Sequence, residues 1–280
     1  LSLTHDGAQR ASHRSIRVLL VMLFAAVFAI GGLAATPETA AAAGKKVVIV
    51  VGPSGSATSN YIYNAKKLAA QARGYGASVV EIYSPNATWS RVKYHAQGAN
   101  VLIYLGHGNG WPSPYAPFQR YTKDGFGLNA TAGNGHYNVK YWGEYYIARD
   151  INLAKYAVVI LNRLCYASGN SEPGYADPTR SVAIQRVDNY GVGFFRANAK
   201  AVFAEGVGSA SYILYGLFRT NRTMSQIFWS ASNATKSYRF SFASSRYPGA
   251  KALMDPYRPS KYYRSLIGAL GLTASQFRNP

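Results

Sequence analysis

From Lys45 onward, uninterrupted apolar runs alternate with stretches whose apolar residues recur at helical spacing. Val47-Val48-Ile49-Val50-Val51 has the continuous apolar pattern of a strand buried on both faces of a parallel sheet. A Gly/Ser loop from Gly52 to Ser59 follows, and then Tyr61, Ala65, Leu68, Ala69 and Ala72 mark a helix that Gly74 and Gly76 end. Val79–Tyr83 is the second predicted strand. Thr88 caps a short helix with Trp89, Val92 and Ala96 on one face, and Val101–Leu105 is the third strand. Between Gly106 and Gly143 the composition turns to Gly, Pro, Asn and aromatics, which predicts a long loop. Trp111, Tyr115, Phe118, Tyr121 and Phe126 mark it as a packed lid over 108–143. Ala157–Leu161 is the fourth strand, Val187, Tyr190 and Phe194 line the next helix, and Ala201–Ala204 is the fifth strand. Helical patterns follow at Ser211–Phe218 and Met224–Ala231. A tail from about Asp255, with Pro256 and Pro259, carries a predicted short helix around Tyr263–Leu270.

This rhythm predicts an α/β fold: an open, mainly parallel sheet with helices on both faces, a three-layer sandwich, as one domain over 44–280. Upstream, Arg10, Arg14 and Arg17 precede an apolar run from Val18 to Ala35 and a small-residue stretch ending in Ala40–Ala43. That order is expected of a secretory signal peptide over 1–43, cleaved near Ala43, so the mature chain is expected outside the cell or at the cell wall, with no membrane partner.

Composition narrows the partners. With 48% hydrophobic and 15% charged residues the chain is not a disordered polyelectrolyte. Lys plus Arg is 30 against 11 Asp plus Glu, a net charge of +19, which favours polyanions such as anionic cell-wall polymers. The basic residues are scattered and form no long run, so no specific nucleic-acid partner is expected.

Two reactive residues fall where an open α/β sheet places its ligands, at the carboxyl ends of strands. His107 follows the third strand in Leu105-Gly106-His107-Gly108. Cys165, the one cysteine, follows the fourth in Asn162-Arg163-Leu164-Cys165-Tyr166-Ala167-Ser168-Gly169. A thiolate is the nucleophilic form of cysteine and a free thiol is mostly protonated at neutral pH, so a histidine within reach supplies the missing proton chemistry. Gly108, without a side chain, can bring its N–H to a substrate carbonyl and form an oxyanion hole with the Cys165 N–H.

An apolar strand ending in His-Gly, followed by an apolar strand ending in Cys, resembles the caspase-like superfamily of cysteine peptidases, which includes caspases, legumains, clostripains, gingipains and separases. Gly-His-Gly-Asn-Gly-Trp and Leu-Asn-Arg-Leu-Cys-Tyr-Ala-Ser-Gly are also similar to secreted bacterial members. The resemblance covers roughly Lys45 to Phe218. It implies His107 as catalytic histidine, Gly108 as oxyanion glycine, Cys165 as nucleophile, and a peptide or protein substrate. The Gln-Ala-Cys-Arg-Gly signature of caspases is absent, and Leu164 stands where a small residue is usual; both departures bear on substrate preference.

For the side chain before the scissile bond the sequence leaves two choices. Arg163 sits where a caspase pocket residue would, which suits an acidic substrate side chain. Glu172, Asp177 and Glu205 suit a basic one, and three acids after Cys165 in an acid-poor chain tip the expectation toward basic. The plain alternative for each is a solvated loop charge. Ser54 and Ser56, in the first loop, are further candidates for contact with substrate or an anion, against a simple turn and helix cap; the loop lacks Gly-Lys-Ser/Thr, so ATP is not expected. His136 has no closely spaced Cys or His partner, so no metal site and no cofactor is expected, a structural calcium being left open. The competing function is a non-catalytic cell-wall or polyanion binder that uses its 23 tyrosines to stack on sugars.

Overall fold

The computed structural model describes residues 44–280; the expected signal peptide lies outside the described residues. Within them, ten strands and seven helices follow in this order: β1 (Lys46–Val51), α1 (Thr58–Gly74), β2 (Ser78–Tyr83), α2 (Trp89–Ala96), β3 (Val101–Leu105), β4 (Phe126–Asn129), β5 (Val139–Trp142), α3 (Glu144–Asp150), β6 (Ala157–Asn162), α4 (Arg180–Arg196), β7 (Ala199–Glu205), α5 (Ser211–Arg219), α6 (Met224–Trp229), β8 (Phe240–Ala243), β9 (Lys251–Met254), β10 (Arg264–Gly268) and α7 (Ala274–Arg278).

Eight strands form one sheet in the order β2-β1-β3-β6-β7-β10-β9-β8. The first five are parallel, and β10, β9 and β8 extend the sheet as antiparallel neighbours. Period-two alternation divides each strand between two cores. Val47, Ile49 and Val51 of β1 face α1, α5, α6 and α7, while Val48 and Val50 face α2, α3 and α4. The fold is therefore an α/β three-layer sandwich. Each fully buried aliphatic side chain contributes roughly 1.5–3 kcal/mol, so β1, β3, β6 and β7, buried on both faces, form a stiff base for the loops at their carboxyl ends.

Two segments differ from the sequence-based expectation. Residues 263–270 are not a short helix: Arg264–Gly268 is strand β10, inserted between β7 and β9, with Leu266 in one core and Ile267 in the other. A short apolar run is compatible with either element, and here an open sheet edge at β7 decides it. The long loop expected after His107 holds regular structure. It contains a two-stranded sheet, β4 with β5, pinned by Phe126, whose ring stacks on Tyr104 at 4.5 Å and lies 5.5 Å from Phe194 of α4. Side-chain caps fix three helix starts. Thr179 accepts from Val182 N–H at α4, and Thr223 and Thr273 form reciprocal capping boxes with Gln226 and Gln276 at α6 and α7.

Candidate active site

Strands β3 and β6 are parallel neighbours with Leu105 opposite Asn162, so the chain segments that leave them start side by side at the same edge. His107 comes two residues after the end of β3 and Cys165 three residues after the end of β6.

The His107 backbone is fixed from below. The Tyr104 hydroxyl donates to the His107 carbonyl over 2.6 Å, and the Gly127 N–H of β4 donates to the same oxygen over 3.0 Å. The glycines around it are required by close approach. A Cβ at Gly106 would stand 2.5 Å from the Tyr104 hydroxyl, one at Gly108 2.1 Å from the Tyr190 hydroxyl and 2.7 Å from Leu164 Cδ2, and one at Gly110 2.3 Å from Tyr166 Cβ. The histidine segment is thereby seated on Leu164 and Tyr166, the two residues that flank Cys165.

The cysteine turn has its own anchors. Arg163 is a non-glycine residue at φ 65°, a conformation that costs of order 1–3 kcal/mol and is held by the N–H it donates to Glu205 O over 2.7 Å. Asn162 donates its side-chain amide to Glu205 O (3.0 Å) and Gly208 O (2.9 Å), tying the end of β6 to the end of β7. Cys165 then opens a 3-10 turn over Tyr166–Ser168 that closes on Gly169 at φ 98°. The Cys165 carbonyl accepts from Ser168 N–H, Asn170 N–H and the Ser168 hydroxyl, the last over 2.8 Å. Buried Arg186 of α4 clamps the two segments together. It donates to Pro112 O (2.6 Å) on the histidine side and to the Ser171 hydroxyl (3.0 Å) and Gly169 O (3.4 Å) on the cysteine side, with its guanidinium 4.7 Å from the Tyr166 ring centre.

Two neighbouring hollows result. Cys165 lines one of about 290 Å³, together with Tyr61, Arg163, Asn170, Glu172 and Asp177. His107 and Gly108 line another of about 420 Å³, with Asn109, Tyr115 and Tyr141. Glu172 is a wall of both. Burial, and then the Glu172 charge, push the Cys165 thiol above its ordinary value, with only its own backbone N–H opposing. The resting thiol is therefore protonated at neutral pH. A larger hollow of about 590 Å³ beside Trp229 and the β8–β9 edge brings no cysteine, histidine or carboxylate together.

The remaining candidates are distributed as follows. Arg163 lines the cysteine hollow, with its Nε buried and without a partner. Asp177 lies at the rim of that hollow and pairs with Lys261 and the Ser260 hydroxyl. Glu205 lines neither hollow: its Oε1 accepts from Arg264 Nε over 2.9 Å in a fully buried ion pair, and burial raises its carboxyl above the usual range. Ser54 is buried over its own turn, its N–H on Thr58 Oγ1 (2.8 Å) and its hydroxyl 3.4 Å from Gly52 O, while Ser56 is exposed; neither lines the two hollows. His136 Nδ1 lies 2.9 Å from the Ser84 hydroxyl. Among the described residues, no group of three His, Cys, Asp or Glu is arranged to hold a metal, and no helix is long and apolar enough to cross a membrane. Tyr61 and Arg186 join the site from α1 and α4 and Tyr175 from the loop that follows Cys165, and none carries a local signal in the sequence.

No family model, no curated protein and no solved structure matches the chain.

Proposed function

We propose that the protein is a secreted cysteine endopeptidase of the caspase-like type, with Cys165 as nucleophile and His107 as its proton-transfer partner. One observation carries this reading: Gly108 and Gly110 seat the histidine segment on Leu164 and Tyr166, either side of Cys165. A structural cysteine needs no such close approach to a histidine-bearing loop. Among the described residues, neither the Gly108 nor the Cys165 N–H donates to another residue's backbone carbonyl, which leaves both for a substrate oxyanion.

In the proposed cycle the Cys165 thiol gives its proton to His107, and the sulfur attacks the peptide carbonyl. The C–N bond breaks as His107 returns that proton to the leaving amine. Water then cleaves the acyl-thioester, releasing the acid product and the thiol. Glu172 favours cleavage after a basic residue: of the three acids considered, Asp177 and Glu205 already hold cations and Glu172 does not.

The test is turnover of a fluorogenic peptide library by protein lacking residues 1–43, with and without calcium and after trial proteolytic activation. Cys165→Ala and His107→Ala should each abolish turnover while keeping the fold. Wild-type protein that cleaves nothing, and labels no faster with electrophilic peptides than a denatured control, overturns the reading. N-terminal sequencing of protein exported by its host tests the secretion.

A second reading, binding of an anionic wall polymer, is favoured by one surface. Arg120 and Arg149 lie over the Tyr145 ring at 5.0 Å each, and Lys140 lies 4.8 Å over Trp142. Retention on insoluble cell wall that falls with salt would support it.

A further inference from the structure

Glu172 is a half-buried carboxylate that borders both the nucleophile and the histidine. Most charged groups around it are otherwise engaged. Asp177 is paired with Lys261. Arg186 spends its donors on Pro112, Gly169 and Ser171. Lys123, buried beneath the lid, donates to Asn109 Oδ1 (2.7 Å), Ser113 Oγ (3.0 Å) and Tyr115 O (2.6 Å). Arg163 shares the cysteine hollow but forms no ion pair there. No basic side chain among the described residues pairs with Glu172.

What does hold Glu172 is weak and replaceable. The Tyr115 hydroxyl lies 3.3 Å from Glu172 Oε2 and 2.8 Å from the Tyr175 hydroxyl, and both rings are exposed. With Tyr175 donating to Tyr115, the Tyr115 proton goes to Glu172 Oε2, and that one long bond is the only side-chain hydrogen bond to the carboxylate among the described residues. A second acceptor of the same hollow is also unmet: Asn170 is 8% exposed, and its side-chain oxygen is buried without a donor. A carboxylate and an amide oxygen on residues that line the same small hollow match a group that only donates, a guanidinium or an ammonium.

The geometry points to Glu172 as a sensor of substrate charge: a lysine or arginine side chain of the peptide takes the place of the Tyr115 hydroxyl on Glu172, and the ion pair so formed switches Cys165 on. The identity of the ligand as a peptide rests on the peptidase reading; the switch rests on the placement of Glu172 between the two hollows. With the hollow unliganded, the carboxylate's negative charge disfavours a thiolate beside it, consistent with the raised thiol. A bound cation offsets that charge and leaves burial as the remaining cause, so the thiol proton leaves to His107 or to water more readily when a basic side chain is in place. Neutral and acidic peptides would meet a less reactive nucleophile, and an unoccupied thiol would oxidise more slowly.

Iodoacetamide alkylation of Cys165 at pH 7 reads the thiolate directly: the sulfur–carbon bond forms, iodide leaves and the proton passes to buffer. The probes are Nα-acetyl-arginine amide and the uncharged Nα-acetyl-citrulline amide. Saturating arginine amide should speed wild-type alkylation about three- to tenfold, and the citrulline compound should not. Glu172→Gln should alkylate faster than wild type without ligand and ignore both probes. Tyr115→Phe should lower the arginine amide concentration needed for half the effect. Wild-type rates unchanged by arginine amide, or Glu172→Gln still responding to it, would overturn the sensor. Acceleration without any peptide turnover removes the peptidase reading and keeps the sensor; turnover of basic peptides without acceleration does the reverse.

Discussion

Gly108 lies so close to Leu164 that a Cβ on the glycine would come within 2.7 Å of the leucine Cδ2. This contact joins the ends of two neighbouring parallel strands and sets the spacing between His107 and Cys165. Sheet pairing brings the strand ends to within one strand spacing; the missing side chain at Gly108 lets the segments beyond them touch.

Gly108→Ala should therefore lower stability by about 1–3 kcal/mol, the usual cost of forcing one extra methyl into a packed site. Turnover and Cys165 labelling should fall with it, because the added methyl meets the Tyr190 hydroxyl and Leu164 and lifts the histidine segment. Gly74→Ala is the control. Gly74 ends α1 with an ordinary negative φ, and a Cβ there would meet nothing within 4 Å, so the change should be neutral or stabilising by up to about 1 kcal/mol. Urea denaturation of both variants checks the pair; equal losses would show that Gly108 has no packing role.

Arg264 anchors the far side of the site. Only 2% exposed, it donates to Glu205, Asp255 and, over 2.6 Å, Phe228 O, and the Glu205 carbonyl in turn holds Arg163 and Asn162. Arg264→Met removes the cation between two buried carboxylates and should cost about 3–5 kcal/mol. The loss should be partly recovered at acid pH, where Glu205, its carboxyl raised by burial, takes up a proton and no longer repels Asp255. Denaturation midpoints at neutral and mildly acid pH test both statements; a loss below about 1 kcal/mol, the usual size for exposed pairs, would count against a structural role.

The thiol gives a pH signature of its own. Burial and Glu172 keep Cys165 protonated to higher pH in the folded chain than in the unfolded one, where a cysteine titrates near about 8.5. As pH rises through that value the unfolded chain loses its proton first, so it binds fewer protons and stability falls. Wild type should therefore lose stability relative to Cys165→Ala above about pH 8.5, with a constant difference below it. Paired denaturation series from pH 7 to 10 would show this, and a flat difference throughout would mean the thiol is not perturbed.

Strands β1, β3, β6 and β7 were legible in the sequence because each holds a run of consecutive apolar residues, a pattern that needs burial on both faces and tolerates few other structures, whereas β2, at the sheet edge, was read through the Glu81 that interrupts its apolar residues. The order of elements likewise put His107 and Cys165 at strand ends; Gly108 stood out only as an N–H for a substrate carbonyl, and its packing against Leu164 became visible only in the fold. Strand β8 could have been read from the alternation Phe240-Ser241-Phe242-Ala243, whose phenylalanines are less exposed than their neighbours. The identity of β10 could not. Arg264-Ser265-Leu266-Ile267-Gly268 gives no decisive period over five residues, and its buried arginine is tolerable only because Glu205 and Asp255, far away or across a turn, meet it there.

The same division runs through the site. The sequence by itself determined a basic α/β chain with one thiol and one His-Gly at the ends of two successive predicted strands, because local spacing and apolar periodicity are properties of consecutive residues, while the pairing of those strands was decided by the fold. Only the tertiary structure decided which of Glu172, Asp177 and Glu205 was free to act. Each is an acid on a loop or strand end, and nothing local distinguishes them. Lys261 and Arg264, both close to the end of the chain, neutralise Asp177 and Glu205, while Glu172 is left between Cys165 and His107. Charge pairing at long sequence separation depends on distance in space, which the folded chain sets and the order of residues along it does not.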